Sequence, residues 1–162
     1  MAIFYSTENF TVEAPERPHI PREEGGHLKI AVKDKTIADR TKLSIKQAIE
    51  LVRLTMIVGE AFEIAMNRRG VPVIKINYQD MGNWSYKEGK KHYMHYHIYG
   101  RVLNAKHQPY PESMNLPDRS TGFYDSFLPL NDEDIAEIER EIERISNTEK
   151  YIEFQKIIDN TR

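Results

Sequence analysis

The sequence predicts an α+β domain: an antiparallel sheet crossed on one face by a single long helix, with further helices at the C-terminus. Three observations carry this. Residues 27–33, 71–79 and 92–102 alternate along the chain with the two-residue period of strands. Residues 45–68 repeat apolar positions every three or four residues, long enough for a helix that spans a sheet. The last thirty residues are highly charged but carry an isoleucine stripe at helical spacing. A chain of 162 residues fits one domain with its own core. The expected organisation is a single domain over 1–162, with a core of about 10–102, a long loop at 103–130 and C-terminal helices at 131–160.

Taken in order, Phe10, Val12 and Ala14 alternate ahead of Pro15, Pro18 and Pro21, which predicts one short strand between residues 4 and 21 and then an extended, irregular segment. After Gly25 and Gly26, the residues Leu28, Ile30 and Val32 form one face of a half-buried strand. Ser44 and Gln47 have the spacing of a capping box, with Leu43 and Ala48 placed as a hydrophobic staple. The helix they open carries Ala48, Ile49, Val52, Met56, Val58, Ala61, Phe62 and Ala65 and stops at Gly70. Gly59 inside it costs about 1 kcal/mol relative to Ala. Packing over several turns is the favoured reading of that cost, and close approach by another element is the alternative.

Residues 71–79 are β-branched and alternating, hence a strand. The linker 80–91 contains Trp84, is too polar for a core element and too long for a tight turn, and is expected to fold over the neighbouring site. Residues 103–130 hold four prolines and no periodicity, yet Tyr110, Phe123, Tyr124 and Phe127 argue for packing rather than disorder. Asn131 can cap the next helix, with Leu130 and Ile135 as a staple and Ile135, Ile138, Ile142 and Ile145 as its buried stripe. Residues 151–158 suit a second short helix.

Composition narrows the function classes. With 40% hydrophobic and 30% charged residues and no long apolar run, a membrane protein is not expected. No cysteine is present, so thiolate sites and disulfides are excluded. A net charge of -2 argues against an extended grip on nucleic acid. The stretch from Met1 to Ser6 has neither basic flank nor sustained apolar run, so no secretory signal is read and a cytoplasmic location is expected. The nearest thing to a basic cluster, Lys87, Lys90 and Lys91, would suit one small anion better than a polymer.

Chemistry concentrates at residues 92–101. On an extended chain Tyr93, His95, His97 and Tyr99 share one face, while His92, Met94, Tyr96 and Ile98 take the other. Two residues of rise separate the histidines by about 6.6 Å, so both rings can reach one phosphate or one metal ion. A largely neutral imidazole is a competent nucleophile toward phosphorus. The plainer alternative is a polar patch whose rings bond to backbone carbonyls. Gly100 and Arg101 at the strand end, His27 on another strand and the long aromatic loop favour a site.

The stretch Tyr93-Met94-His95-Tyr96-His97-Ile98-Tyr99-Gly100-Arg101, with Gly26-His27-Leu28-Lys29-Ile30-Ala31-Val32 upstream and a long helix between, resembles the histidine triad (HIT) superfamily over residues 10–102. The resemblance implies a HIT-like fold and a covalent mechanism. In it His95 attacks an α-phosphate to form a nucleotidyl-histidine that water or another acceptor releases. His97 would contact the phosphate or departing group, and His27 would support the site. Asn77 matches a phosphate-contacting asparagine, and Arg101 is a phosphate ligand or the partner of an acidic side chain. His19 stands about where the family places a ribose contact, although a structural role suits it better. His92 and His107 read as surface or packing histidines.

Two positions depart from the pattern. Tyr93 replaces the first histidine, although its backbone carbonyl can still hold the second nitrogen of His95. Gly89-Lys90-Lys91 replaces the usual Gly-Gln-Ser/Thr, so that Lys90 would supply that contact. The retained His97 leans toward hydrolysis rather than nucleotidyl transfer. The implied partners are a nucleotide or nucleotide-conjugate substrate and a second copy in a homodimer, with neither cofactor nor metal. Two alternatives stand beside this reading: a cupin-like metal-binding protein, suggested by Gly89 followed by His95 and His97 but opposed by the cation Arg101, and an inactive nucleotide-binding protein, suggested by Tyr93.

Overall fold

The computed structural model describes residues 2–161; the two ends of the expected domain, Met1 and Arg162, lie outside the described residues. Five strands, β1 (Ala2–Ser6), β2 (Phe10–Ala14), β3 (His27–Val32), β4 (Lys75–Asp80) and β5 (His95–Arg101), form one antiparallel sheet in the order β1-β2-β3-β5-β4. The helices are α1 (Ile45–Arg68), the single turn α2 (Trp84–Lys87), α3 (Asp132–Ser146) and α4 (Glu149–Asn160). The α+β class is the one the periodicities predict, as are the long helix between strands and the two C-terminal helices. None of the described helices is long and apolar enough to cross a membrane.

Strand alternation divides the molecule. Phe10 and Val12 of β2, Leu28, Ile30 and Val32 of β3, and Ile98 of β5 join the core that α1 covers with Leu54, Ile57, Phe62 and Met66. The opposite face carries His27 and Lys29 of β3 beside Tyr99 and His97 of β5, in direct register. In place of one N-terminal strand there are two. The tight turn closed by the Thr7 amide on the Phe10 carbonyl at 2.9 Å folds β1 back onto β2, and β1 lacks a clean alternation because Ile3, Phe4 and Tyr5 run consecutively.

The capping box of α1 forms with both Ser44 and Gln47 engaged, and that of α3 with Asn131 and Asp134. The buried face of α1 is rotated from the expected stripe: Leu51, Leu54, Ile57 and Val58 point inward, leaving Val52 and Met56 exposed. Gly59 corrects the favoured sequence reading. A Cβ there would lie 1.8 Å from the Tyr78 hydroxyl of β4, so close approach is what the position requires. Gly100 is similarly constrained, since a Cβ on it would sit 2.3 Å from the Gly25 carbonyl oxygen.

Residues 103–130 lie over the histidine face and are pinned from below. Buried Arg101 donates to the carbonyls of Gln108, Pro109 and Glu112 at 3.3, 3.0 and 2.9 Å. Buried Glu24 accepts the backbone amides of Lys106, His107 and Gln108 at 3.0–3.1 Å and the His107 ring at 2.7 Å. Such charge-assisted bonds give an irregular segment a defined path.

Candidate active site

Four imidazoles meet where β3 and β5 pair. His95 and His97 pack edge to face with ring centroids 4.8 Å apart. His97 lies 5.0 Å from His27 of β3, and His19, from the segment entering that strand, stacks on His27 at 4.7 Å. Two adjoining cavities, of about 350 and 320 Å³, share His19, His95 and His97 on their walls.

The hydrogen bonds assign a proton to three of the rings. The His95 Nδ1–H donates to the Tyr93 backbone carbonyl at 2.8 Å, because a carbonyl can only accept; the Nε2 lone pair is therefore free. The His19 backbone N–H donates to His27 Nδ1 at 3.1 Å, which places the His27 proton on Nε2. That N–H faces His97 Nδ1 at 2.9 Å, so His97 accepts there and carries its own proton on Nε2. His19 Nδ1 is 2.7 Å from the buried hydroxyl of Tyr99.

Burial keeps these rings neutral. Desolvation pulls His19 down to about 4, helped by the charge of Arg119. It holds His27 and His97 well below the ordinary imidazole value, each ring also disfavouring charge on its neighbours. His95 is lowered too, mainly by burial, against the opposing pull of the Tyr93 carbonyl. The cluster thus offers one free nucleophilic nitrogen and one N–H donor rather than a strong acid.

Other residues singled out from the sequence fall elsewhere. Asn77 and Arg101 bond to each other at 2.8 Å, and Arg101 is committed to the carbonyls under the loop; neither lines the two cavities. Their expected phosphate contact is thereby corrected to an anchoring role. Lys90 is exposed and paired with Glu88 at 2.8 Å, while Lys87 pairs with Asp118, so the lysine cluster does not converge on an anion. The Tyr93 side chain points to Lys29, whose Nζ is 3.2 Å from its hydroxyl. His107 packs on Phe127 beside Glu24, and His92 is exposed.

Two contributors, Lys29 and Arg119, escaped sequence reasoning, and a third was anticipated through its linker. Trp84, on the linker that was expected to cover the site, joins Met81 and Leu116 in the wall of the larger cavity. Lys29 lines the other cavity, ion-paired to Glu13 across the β2–β3 ladder at 2.8 Å. Arg119 reaches the same cavity from the long loop, where a turn capped by Asp118 was the one local signal. His19, His27 and His97 have ring nitrogens within 4.8 Å of one another, a spacing that could suit a metal ion. Both His27 nitrogens are already bonded, however, so it could bind one only by breaking the proton chain just described.

No protein-family model and no curated protein matches the sequence. Solved structures do match its shape. A HIT-like protein from Bartonella henselae described as involved in cell-cycle regulation aligns with TM-score 0.54 and 12% identity, over 86% of this chain and 84% of that one. A hypothetical histidine triad nucleotide-binding protein from Sulfolobus tokodaii strain 7 aligns with TM-score 0.54 and 14% identity over 89% and 85%. A zinc-bound histidine triad family protein from Mycobacterium smegmatis aligns with TM-score 0.56 and 15% identity over 90% and 88%.

Proposed function

We propose that this HIT-like fold is a nucleotide-phosphate hydrolase or nucleotidyl transferase that works through His95. The observation that carries the reading is the Tyr93 carbonyl on His95 Nδ1, which leaves the Nε2 lone pair unprotonated beside a cavity large enough for a nucleotide. Nε2 attacks the α-phosphorus, an N–P bond forms, and the bond from phosphorus to the leaving group breaks with its electron pair on that group. His97 Nε2–H steadies the phosphoryl oxygens. Water then attacks phosphorus, the N–P bond breaks with its electron pair returning to Nε2, and the proton that water loses passes to solvent as the nucleotide product ionises. The nucleotide-binding description of the Sulfolobus protein lends the substrate class support.

Tyr93 in place of a histidine is no obstacle, since the bond to His95 comes from its backbone. The cupin alternative is set aside, because one sheet with a helix-covered face is not a double-sheet roll. Acid-stable and hydroxylamine-resistant adducts are not expected of a phosphorus–nitrogen bond, so the intermediate should be trapped by rapid alkaline denaturation and mapped to His95 by mass spectrometry. Turnover by His95→Ala equal to that of the unaltered protein would sink the proposal.

The same reading includes a homodimer. Among the described residues the outer edge of β4 is unpaired, and Tyr78 and Ile74 beside it lie exposed with Val52 and Met56 of α1, an apolar patch that a second copy would cover. Light scattering of the full chain tests this: a dimeric mass is expected, and a monomer at 100 μM, about the upper range of a useful assay, would remove it.

A further inference from the structure

Phosphoryl transfer gathers negative charge on the oxygens around phosphorus, and its catalysis rests on positioning and on fixed charges that meet those oxygens. The imidazoles supply no such charge, because burial keeps them neutral. Lys90, the cation that sequence position favoured, is turned away and paired with Glu88. Among the described residues, three cations line the smaller cavity, Arg17, Lys29 and Arg119, and none lines the larger.

Sheet register separates Lys29 from the other two. On the histidine face Lys29 stands opposite His97, and Ala31 stands opposite His95. The small Ala31 side chain leaves the space beside His95 open, and the lysine leans that way: its Nζ lies 3.2 Å from the Tyr93 hydroxyl, whose ring is 5.0 Å from that of His95. Glu13, opposite Lys29 on β2, leans with it. Thr11, opposite Ala31, donates to Glu13 Oε1 at 2.8 Å, while Glu13 Oε2 takes the ammonium at 2.8 Å.

The charges sort in the same way. Besides burial, which dominates, the charge of Lys29 disfavours protonation of His95, His97 and His27, whereas that of Arg119 acts on His19 and His27. The remaining charges felt by His95 are exposed Lys35, 3.9 Å above the Tyr93 ring, and Asp80, which oppose each other. Arg17 is exposed, and Arg119 is spread over the rings of Trp84 and Tyr124. Burial works against the charge of Lys29 as well, but the Glu13 carboxylate outweighs it, so the ammonium keeps its protons although the residue is only 6% exposed. An ammonium has three donors; two meet Glu13 and Tyr93, and the third meets no partner among the described residues.

We propose that Lys29, aimed by Glu13, is the cation of this site, and that its ammonium bonds a non-bridging oxygen of the phosphoryl group as that group passes to and from His95 Nε2. This rests on the proposed role of His95. Lys29 gives up no proton in either step: His95 takes the phosphoryl group, water removes it, and the ammonium offsets the charge on the oxygens in both. A cation that acts on the transferred group serves every leaving group equally.

The test uses the full chain and two probes that share an α-phosphate but differ in what departs, diadenosine triphosphate and an adenosine 5′-phosphoramidate of a simple amine. Lys29→Met alone would strand the buried Glu13 carboxylate, so the charge is removed as a pair in Lys29→Met/Glu13→Gln, and Lys29→Arg keeps it. The double variant should lower kcat/KM about 100-fold on both probes, and Lys29→Arg should recover at least about a tenth of the unaltered value. Calorimetric affinity for adenosine 5′-monophosphate, a readout independent of turnover, should weaken about tenfold in the double variant and less than about threefold in Lys29→Arg. Turnover by the double variant within about threefold of unaltered protein, a loss confined to one probe, Lys29→Arg no better than the double variant, or unchanged affinity for the monophosphate would each overturn the role of Lys29. Failure of the His95 mechanism shows separately, as turnover that survives His95→Ala.

Discussion

Lowering the pH should destabilise this protein from about pH 6.5 downward, well before its carboxylates protonate. An imidazole in the unfolded chain titrates near 6.5, whereas His19 is pulled down to about 4 and His27 and His97 lie well below the ordinary value, all chiefly by burial. Below pH 6.5 the unfolded state therefore binds protons that the native state refuses. The stability is complete above that point and is lost as the pH falls toward the folded values. At pH 5.5 protonation of the unfolded His19 ring costs the native state about 1 kcal/mol, and His27 and His97 add to the loss in the same direction. Against an ordinary domain's stability of about 5–15 kcal/mol such a loss is measurable. Carboxylates with depressed values, Glu24 and Asp134 among them, act in a different window: hydrogen bonds outweigh their burial, and their contribution is lost only below about pH 4.3. Urea denaturation followed by Trp84 fluorescence at pH 7.5 and 5.5 measures the difference directly. His19→Gln should remove its share, about 1 kcal/mol, and leave the remainder. A change of less than about 1 kcal/mol between the two pH values would refute the account of neutral, buried imidazoles.

Gly100→Ala should destabilise by about 2–3 kcal/mol in chemical denaturation, because its Cβ would sit 2.3 Å from the backbone oxygen of Gly25; unchanged stability would show that the strand can shift. Tyr93→Phe should keep kcat within about threefold, since the carbonyl that orients His95 remains, and a loss like that of His95→Ala would place the phenol in the chemistry. His27→Phe should lower kcat by about ten- to a hundredfold by removing the donor that sets the His97 proton, with a smaller effect on KM. In Glu24→Gln, hydrogen exchange at the amides of residues 106–108 should accelerate at least about tenfold, and unaltered protection would mean that Arg101 alone pins the loop.

What could be read from the sequence was whatever has a local period. Alternation along β5 puts His95 and His97 on one face without reference to any other element, and the capping residues Ser44 and Asn131 mark helix starts from their own neighbourhoods. The meeting of His27 with His97 depends instead on register, set by the pairing of His27 with Tyr99 across two strands far apart in sequence. Asn77 and Arg101 looked like phosphate ligands because motif position says nothing of burial: Asn77 stands opposite Tyr99 on β4, within reach of Arg101 rather than of the cavity. Arg119 had only the Asp118-capped turn as a local signal, since residues 103–130 lack periodicity and the loop's path follows from contacts to Glu24 and Arg101 elsewhere in the chain. β1 was missed for a related reason: pairing with β2 makes it a strand, and its own run of apolar residues does not alternate.

The corrected place of Arg101 gives it a larger part in the proposed chemistry than a direct phosphate contact would. Burial lets imidazoles resist protonation below pH 6.5, and the cover over His19, His27 and Tyr99 is the 103–130 segment, with Tyr124 in ring contact with His19 at 5.8 Å. That segment has no sheet or long helix to hold it. Its path is fixed where Arg101 gathers three carbonyls and Glu24 three amides, two buried charges satisfied by a loop's unpaired backbone. Through that loop a charge at the end of β5 is expected to act on the protonation of the histidine cluster without touching it. Arg101→Met should consequently raise the pH at which His95 becomes protonated, moving the acid limb of kcat/KM toward 6.5, because a loosened cover lets water return. An acid limb unmoved in a variant that still folds would mean that the strands themselves, not the loop, keep the site dry.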